Sequence, residues 1–136
     1  MTGVIAAYPD LGSRISEKII GAAIEVHKTL GPGLLESVYE DCLAIEMQHS
    51  GLLFERQKTI PVTYKGKPLE VGFRADFVVE GHLIVELKAV ERLLPIHEAQ
   101  LLTYLKVSGC ALGLIVNFNT PLLKEGIRRL ALSPSG

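Results

Sequence analysis

The stretch from residue 74 to residue 89 constrains the fold more than any other part of the chain, because its odd and even positions differ in character. The odd positions on either side of a Glu-Gly-His turn (80–82) are all apolar: Ala75, Phe77, Val79, Leu83, Val85, Leu87 and Ala89. The even positions hold the charged residues Arg74, Asp76, Glu86 and Lys88, with Val78 and Ile84 nearer the turn. Because successive side chains of a strand point to opposite faces, this pattern predicts a hairpin with one core face and one charged face.

The register of this hairpin brings two acids together. A three-residue loop sets Val79 opposite Leu83, and the same register sets Asp76 opposite Glu86. Directly opposed residues have Cβ atoms about 4.5–5.5 Å apart, so the two carboxylates repel each other unless a positive charge lies between them. A divalent cation such as Mg²⁺ or Mn²⁺ is the natural occupant, because these ions take oxygen ligands. Lys88, two residues beyond Glu86 on the same face, can reach the same place.

A plainer interpretation of the charged face is also open. One face of an antiparallel hairpin is commonly solvated, so Asp76, Glu86 and Lys88 could be surface residues in which Lys88 neutralises Glu86. Val78 and Ile84 share that face and favour one that is partly covered. The hairpin alone leaves both interpretations open.

The remaining elements follow from hydrophobic spacing and from Gly and Pro breaks. The spacing predicts helices over 13–30, 34–50 and 95–108, strands over 54–64, 69–79, 83–89 and 111–117, and an element at 122–132 that is ambiguous between helix and strand. In the second helix, the predicted inward residues are Leu35, Val38, Tyr39, Cys42, Ile45 and Met47. The order α-α-β-β-β-α-β predicts an α/β fold with a mixed central sheet flanked by helices. We find no repeat or linker, and expect one domain over 1–136 with its core at about 13–132.

Charge and composition exclude several classes of protein. The formal net charge of -1 gives no general affinity for polyanions, although it does not exclude a nuclease whose metal restores positive charge. Two distant cysteines form neither a disulfide framework nor a zinc pattern. Residues 1–10 lack the charged and apolar regions of a signal peptide, and no apolar run is long enough to span a bilayer. We therefore expect a cytoplasmic protein without a membrane partner.

Three motifs together resemble one family of nucleases. Asp76, followed after nine residues by Glu86-Leu87-Lys88, resembles the D…ExK signature of the PD-(D/E)XK nucleases. The run from Gly33 to Tyr39 looks like the GxxExxY motif that names a small bacterial branch of that superfamily. Gln100 and Tyr104 resemble the QxxxY element of its RecB-like members. The resemblance covers residues 13–132, and its one departure is Ala75, where the family name has proline.

The resemblance implies a restriction-endonuclease-like core and a metal-dependent nuclease that hydrolyses phosphodiester bonds in DNA. It implies that Mg²⁺ or Mn²⁺ is held by Asp76, Glu86, the backbone carbonyl of Leu87 and Glu36. Lys88 would orient a water molecule or stabilise the transition state, and Gln100 and Tyr104 would bind the substrate. Plainer roles are a helix-start acid for Glu36, favoured by the helix dipole, and a core aromatic for Tyr104.

Two further hypotheses follow from the lack of an evident basic stripe and from the small size of the chain. The first is a module that keeps the fold and binds nucleic acid or assembles with proteins, but has lost catalysis. The second is a homodimer, in which pairing would widen the surface that contacts nucleic acid. Binding of divalent metal separates the enzyme from the silent module.

Overall fold

The computed structural model describes residues 11–132, in which a mixed sheet lies between two layers of helices. The helices are α1 (Leu11–Leu30), α2 (Glu36–His49), α3 (Pro95–Ser108) and a short 3-10 helix (Leu123–Gly126). The strands are β1 (Phe54–Tyr64), β2 (Lys67–Val79), β3 (Leu83–Lys88), β4 (Leu112–Asn117) and β5 (Ile127–Ala131). The predicted fold class and element order are confirmed. The ambiguous segment at 122–132 is a 3-10 turn followed by a strand.

The sheet has the order β1-β2-β3-β4-β5. Only β3 and β4 run parallel, because the chain crosses over between them through α3, and the other neighbours are antiparallel. β4 is buried along its whole length and β3 is buried except at Lys88, as expected for strands covered on both faces. None of the helices within residues 11–132 has the length and apolar character needed to cross a membrane. The predicted lack of a signal peptide concerns residues 1–10, which lie outside the described part.

Two apolar clusters cover the two faces of the sheet. The first joins α1 and α2 to one face and includes Phe77, Val85 and Leu114. The second joins α3 to the other face and includes Val78 and Ile84, which are 5% and 0% exposed. The even-numbered face of the hairpin is therefore buried near the turn, and an ordinary solvated face is ruled out there.

The inward face of α2 differs from the prediction. Tyr39 and Met47 are buried as expected, but Leu35, Val38 and Ile45 are exposed. The buried stripe consists instead of Tyr39, Leu43, Ala44 and Met47. The reason is tertiary: the contacts of Tyr39 with the loop before α2 and with Phe118 fix how α2 is rotated about its axis.

Near the turn the β2–β3 register is the predicted one, but the ladder ends before the predicted pair of Asp76 and Glu86, and the alternation of faces is not continuous. Val79 lies opposite Leu83, and Phe77 lies opposite Val85. Ala75 does not share the face of Phe77, as the odd-even pattern predicted, but is buried in the cluster beneath α3. β2 therefore changes face at Asp76.

β1 changes face at the neighbouring position. Phe54 packs on the α1–α2 side and Ile60 on the α3 side. Between them Gln57, which falls between the paired residues Arg56–Phe77 and Lys58–Ala75, has a φ of 49°. This left-handed conformation is uncommon for a residue with a side chain, and it interrupts the regular pleat. Both strands are thus distorted at the same level of the sheet, where the candidate site lies.

The glycine-rich loop between α1 and α2 is closed by Tyr39. The Tyr39 hydroxyl donates a hydrogen bond to the carbonyl oxygen of Gly31 (2.6 Å) and accepts one from the N–H of Leu34 (3.0 Å). The Tyr39 ring stacks on Phe118, with ring centroids 4.5 Å apart. Gly33 has a φ of 102°, a value that L side chains rarely adopt. The glycine and the tyrosine of the GxxExxY motif therefore both serve this loop.

We predict that Tyr39→Phe lowers the free energy of unfolding by roughly 1–3 kcal/mol, because it leaves the Gly31 carbonyl and the Leu34 N–H without their partner but keeps the ring. Urea denaturation followed by circular dichroism measures the change. Tyr64→Phe is the matched control, because Tyr64 is 62% exposed. Equal stabilities of the two variants would contradict the role assigned to the Tyr39 hydroxyl.

Candidate active site

The site lies where β2 and β3 separate. Their ladder ends at the pair Phe77 and Val85, although both strands continue beyond it. The N–H of Leu87 donates its hydrogen bond to Oδ2 of Asp76 (2.8 Å). The Asp76 side chain thus takes a donor that a continuing ladder would pair with a backbone carbonyl. Farther from the turn, β2 and β3 no longer pair with each other: β2 pairs with β1, and β3 pairs with β4. Asp76 and Glu86 lie where the two strands separate.

Glu86 is an acid in an apolar setting. It is 9% exposed, and its Oε1 atom has no hydrogen-bond partner among the described residues. Desolvation, followed by the negative charge and side-chain hydrogen bonding of Asp76, raises the pKa of Glu86 from 4.5 to about 9, while Lys88 opposes the rise. The protein alone therefore favours a protonated Glu86 at neutral pH, and a nearby cation would favour the ionised form.

Asp76 and Glu86 fit a divalent cation. A buried carboxylate oxygen without a partner, beside a second carboxylate, needs a positive charge or a proton. Within residues 11–132, however, no three His, Cys, Asp or Glu side chains form a group that could hold a metal ion. The two acids would thus need further oxygens, and Mg²⁺ commonly completes its shell with water or phosphate. The Leu87 side chain is buried among the α1–α2 residues, so only its backbone can take part.

Glu36 interacts electrostatically with Asp76, but it does not form a metal-binding group with Asp76 and Glu86. It is the first residue of α2 and is largely exposed. Partial burial and the charge of Asp76 raise the pKa of Glu36, while the charge of Lys88 lowers it. Glu36 therefore feels the field of the site from the start of α2, where an acid also interacts favourably with the helix dipole.

Lys88 supplies positive charge to the site. It is the last residue of β3 and is half-buried. Its charge lowers the pKa of both Glu36 and Glu86. In the described part of the chain, the three ion pairs with an N–O distance within 4.0 Å do not include Lys88. Its ammonium group is thus close enough to act on the site and is not committed to one carboxylate.

α3 brings Tyr104 to the same region. The Tyr104 ring stacks on Phe73, with centroids 3.8 Å apart and planes 9° from parallel. Burial, followed by the charges of Glu86 and Asp76, raises the pKa of the Tyr104 hydroxyl. Gln100 lies one helical turn earlier and is exposed. Tyr104 is therefore part of the electrostatic surroundings of the acids, and Gln100 lies on the same helix.

A polar bridge that the sequence did not predict connects α2 to Asp76. The side-chain amide of Gln57 donates to Oε1 of Glu40 (2.6 Å) and to Oδ1 of Asp76 (3.2 Å). Arg56 donates to Oε2 of Glu40 (2.8 Å) and to Oδ1 of Asp41 (2.6 Å). Both carboxylate oxygens of Asp76 thus have donors, which fixes its orientation.

The sequence held a signal for only one end of this bridge. Glu40 follows Glu36 by one turn of α2, a spacing that puts the two acids on one helical face, although the sequence pattern gave Glu40 no role. The position of Gln57 depends on the pairing of β1 with β2, which the sequence did not fix. Five surface clefts of about 130 to 300 Å³ are lined by other residues, so the acids lie in a gap between strands and not in one of these clefts.

Comparison with known proteins gives one match. A family model described as the PD-(D/E)XK nuclease superfamily matches residues 13–130, which is most of the chain. No curated protein matches the chain, and no solved structure does.

The raised pKa of Glu86 predicts how stability depends on pH in EDTA. Between about pH 4.5 and pH 9 the folded state keeps a proton that the unfolded state releases, so stability falls as pH rises, by at most about 1.4 kcal/mol per pH unit. We expect Glu86→Gln to flatten this slope and to be more stable than wild type near pH 8. Urea denaturation at several pH values, with the exposed Glu70→Gln as control, measures the slopes. Parallel slopes for wild type and Glu86→Gln would refute the prediction.

Proposed function

This chain belongs to the PD-(D/E)XK nuclease superfamily, and we propose that it is a metal-dependent nuclease that hydrolyses phosphodiester bonds in DNA. The observation that carries the proposal is the buried Oε1 atom of Glu86, which lacks a partner and lies beside Asp76. In a structural ion pair, each charge is neutralised by its partner. Asp76 and Glu86 are both acids and lack enough positive charge to neutralise them. A site for a cation explains that shortage, and nuclease chemistry in this superfamily gives the cation a use.

The proposed metal is Mg²⁺ or Mn²⁺, held by Asp76 and Glu86 with the backbone carbonyl of Leu87. Glu36 would contribute at longer range, directly or through water, which agrees with its position in the field of Asp76. When bound, the ion neutralises charge on the phosphodiester and makes water more acidic. The hydrogen bonds from Gln57 and Leu87 to Asp76 support the proposal, because they hold this carboxylate in place before the ion arrives.

The other roles fall to residues with free polar groups near the acids. We assign to Lys88 the stabilisation of negative charge that develops on the phosphate as the P–O bond breaks. We assign to Tyr104 a hydrogen bond from its hydroxyl to a phosphate oxygen, because its ring is held by Phe73. Gln100 would contact the substrate one turn away along α3. These groups position the phosphodiester against the metal and exclude other orientations.

We also propose that the chain belongs to the GxxExxY branch of the superfamily. The contacts of Tyr39 support this assignment, because they explain why the motif ends in a tyrosine. The tyrosine and the glycines hold the loop before α2, and the first turn of α2 carries Glu36 toward Asp76. The motif thus joins the residues that shape the loop, Gly33 and Tyr39, to the proposed metal ligand Glu36.

Metal binding and cleavage test the proposal together. We expect calorimetry to show Mn²⁺ binding to wild type that is weakened at least tenfold in Glu86→Gln, and we expect only wild type to cut DNA with Mg²⁺ or Mn²⁺. Glu25→Gln, at an exposed acid of α1, is the control, and RNA and single-stranded DNA are tested beside duplex DNA. Binding without cleavage of any substrate would favour the catalytically silent module. A wild type that binds no metal even with DNA present would overturn the proposal.

Lys88→Gln tests the role of the ammonium group. We expect it to bind Mn²⁺ within about threefold of wild type but to cleave on the order of 10²–10³ times more slowly, because a charge that stabilises the transition state contributes to rate. Single-turnover rates with saturating enzyme measure the loss, and Lys88→Arg should recover part of it. If Lys88→Gln instead loses metal affinity and keeps its rate when saturated with metal, the role assigned to Lys88 is wrong.

A further inference from the structure

β1 and β2 extend well beyond the rest of the sheet. β3 pairs only with residues 77–79 of β2, whereas β1 and β2 continue together to the pair Tyr64 and Lys67. We call residues 61–72 the arm. Within the arm only Val62 is partly buried, and all other residues are exposed. A two-stranded ribbon without a core of its own contributes little to stability, so its length has to serve something else.

The arm and the residues beside it carry more basic than acidic side chains. Residues 58–74 contain four basic residues (Lys58, Lys65, Lys67 and Arg74) and one acid (Glu70), while the rest of the chain contains ten basic and fourteen acidic residues. In the part of the chain that the structure describes, only Lys58 of the four is ion-paired, and its partner Glu55 lies outside this segment. The arm is therefore a local positive region on a chain that is otherwise acidic. Such a region attracts polyanions.

The turn at the tip presents two of these lysines. Lys65 and Gly66 have φ values of 48° and 79°, the left-handed pair of a two-residue hairpin turn. Among the described residues, the ion pairs within 4.0 Å include neither Lys65 nor Lys67. The Lys65 ammonium lies 5.4 Å from the centroid of the Tyr64 ring, and Tyr64 is 62% exposed. The tip thus combines two lysines outside these ion pairs with an exposed aromatic ring.

The arm is continuous with the strand that carries the candidate site. Asp76 and residues 67–72 of the arm belong to β2, and α3 packs next to the base of the arm through the stacking of Tyr104 on Phe73. With a rise of about 3.3 Å per residue, the tip lies at most roughly 30 Å from Asp76. One turn of duplex DNA is about 34 Å long, so a duplex at the acids can reach the tip about one turn away.

We propose that the arm binds the phosphate backbone of the nucleic-acid substrate through Lys65 and Lys67, with Tyr64 against a sugar or base. The inference rests on the proposed nuclease function and names the surface that holds its substrate. Lysines that contact phosphates give affinity without sequence preference, and an aromatic face adds stacking. The exposed Leu69 and Val71 suit a protein as well, but the concentrated positive charge favours a polyanion.

Binding to DNA without cleavage tests the arm. Fluorescence anisotropy in EDTA, with a labelled duplex of about 30 base pairs and a single strand of the same length, gives the Kd over a range of salt concentrations. The double variant Lys65→Gln with Lys67→Gln is compared with Lys28→Gln with Lys124→Gln. The control pair makes the same charge change at exposed lysines beside the cleft lined by His27 and Pro121.

We expect the arm variant to bind at least tenfold more weakly, with a salt dependence reduced by the loss of about two phosphate contacts, and the control to stay within about twofold. Unfolding midpoints equal to wild type confirm that both variants fold. Equal weakening in the two double variants would overturn the proposal, because the effect would then come from net charge. The proposal would also be overturned if wild type bound neither DNA nor an RNA of equal length. A protein would then be the remaining partner for the arm.

Cleavage assays separate this proposal from the nuclease function itself. If wild type binds through the arm but cuts nothing, the arm proposal stands and the nuclease proposal fails. If wild type cuts DNA and the arm variant cuts it with unchanged KM, the arm proposal fails and the nuclease stands. For a productive arm we expect KM to rise at least tenfold with kcat within about twofold, because the arm lies far from the acids.

Discussion

The hydrogen bond from the Leu87 N–H to the Asp76 carboxylate is the interaction on which the candidate site depends. A buried backbone donor must be paired, and in a continuing ladder the partner would be a carbonyl of the neighbouring strand. Because a side chain takes that place, β2 and β3 can separate without leaving the donor unpaired. The separation gives Asp76 and Glu86 room on the sheet. The pairing of residues 77–79 with 83–85 keeps the two strands, and so the two acids, close together.

The protein maintains this arrangement at some cost in stability. Glu86 is buried beside another acid, and Gln57 adopts a left-handed conformation inside a strand. Both features are unfavourable by themselves, and such features persist when the surrounding structure imposes them. Here the surroundings are the bridge through Glu40 and Arg56 and the two apolar clusters that fix the strands. Unfavourable local features that are grouped at one level of the sheet are typical of a functional site.

The three motifs of the sequence converge on this level from different elements. The glycine and the tyrosine of the first motif hold the loop that starts α2, and the glutamate of that motif interacts electrostatically with Asp76. The second motif supplies the acids and Lys88. The third brings Tyr104, held by its stacking on Phe73. Elements far apart in the chain thus surround one small gap, and the arm extends from the same strand pair toward solvent.

The sequence by itself determined the order of the elements, the bounds of β1 and α3, and the register that places Asp76 near Glu86. These features are local, because alternation, helical spacing and Gly or Pro breaks act over a few residues. Tertiary structure decided the rest. It turned Leu35, Val38 and Ile45 of α2 outward, moved Ala75 to the other face, and brought Gln57 to Asp76. Each of these depends on which element packs against which, and contacts between distant residues leave no periodic trace in the residues that make them.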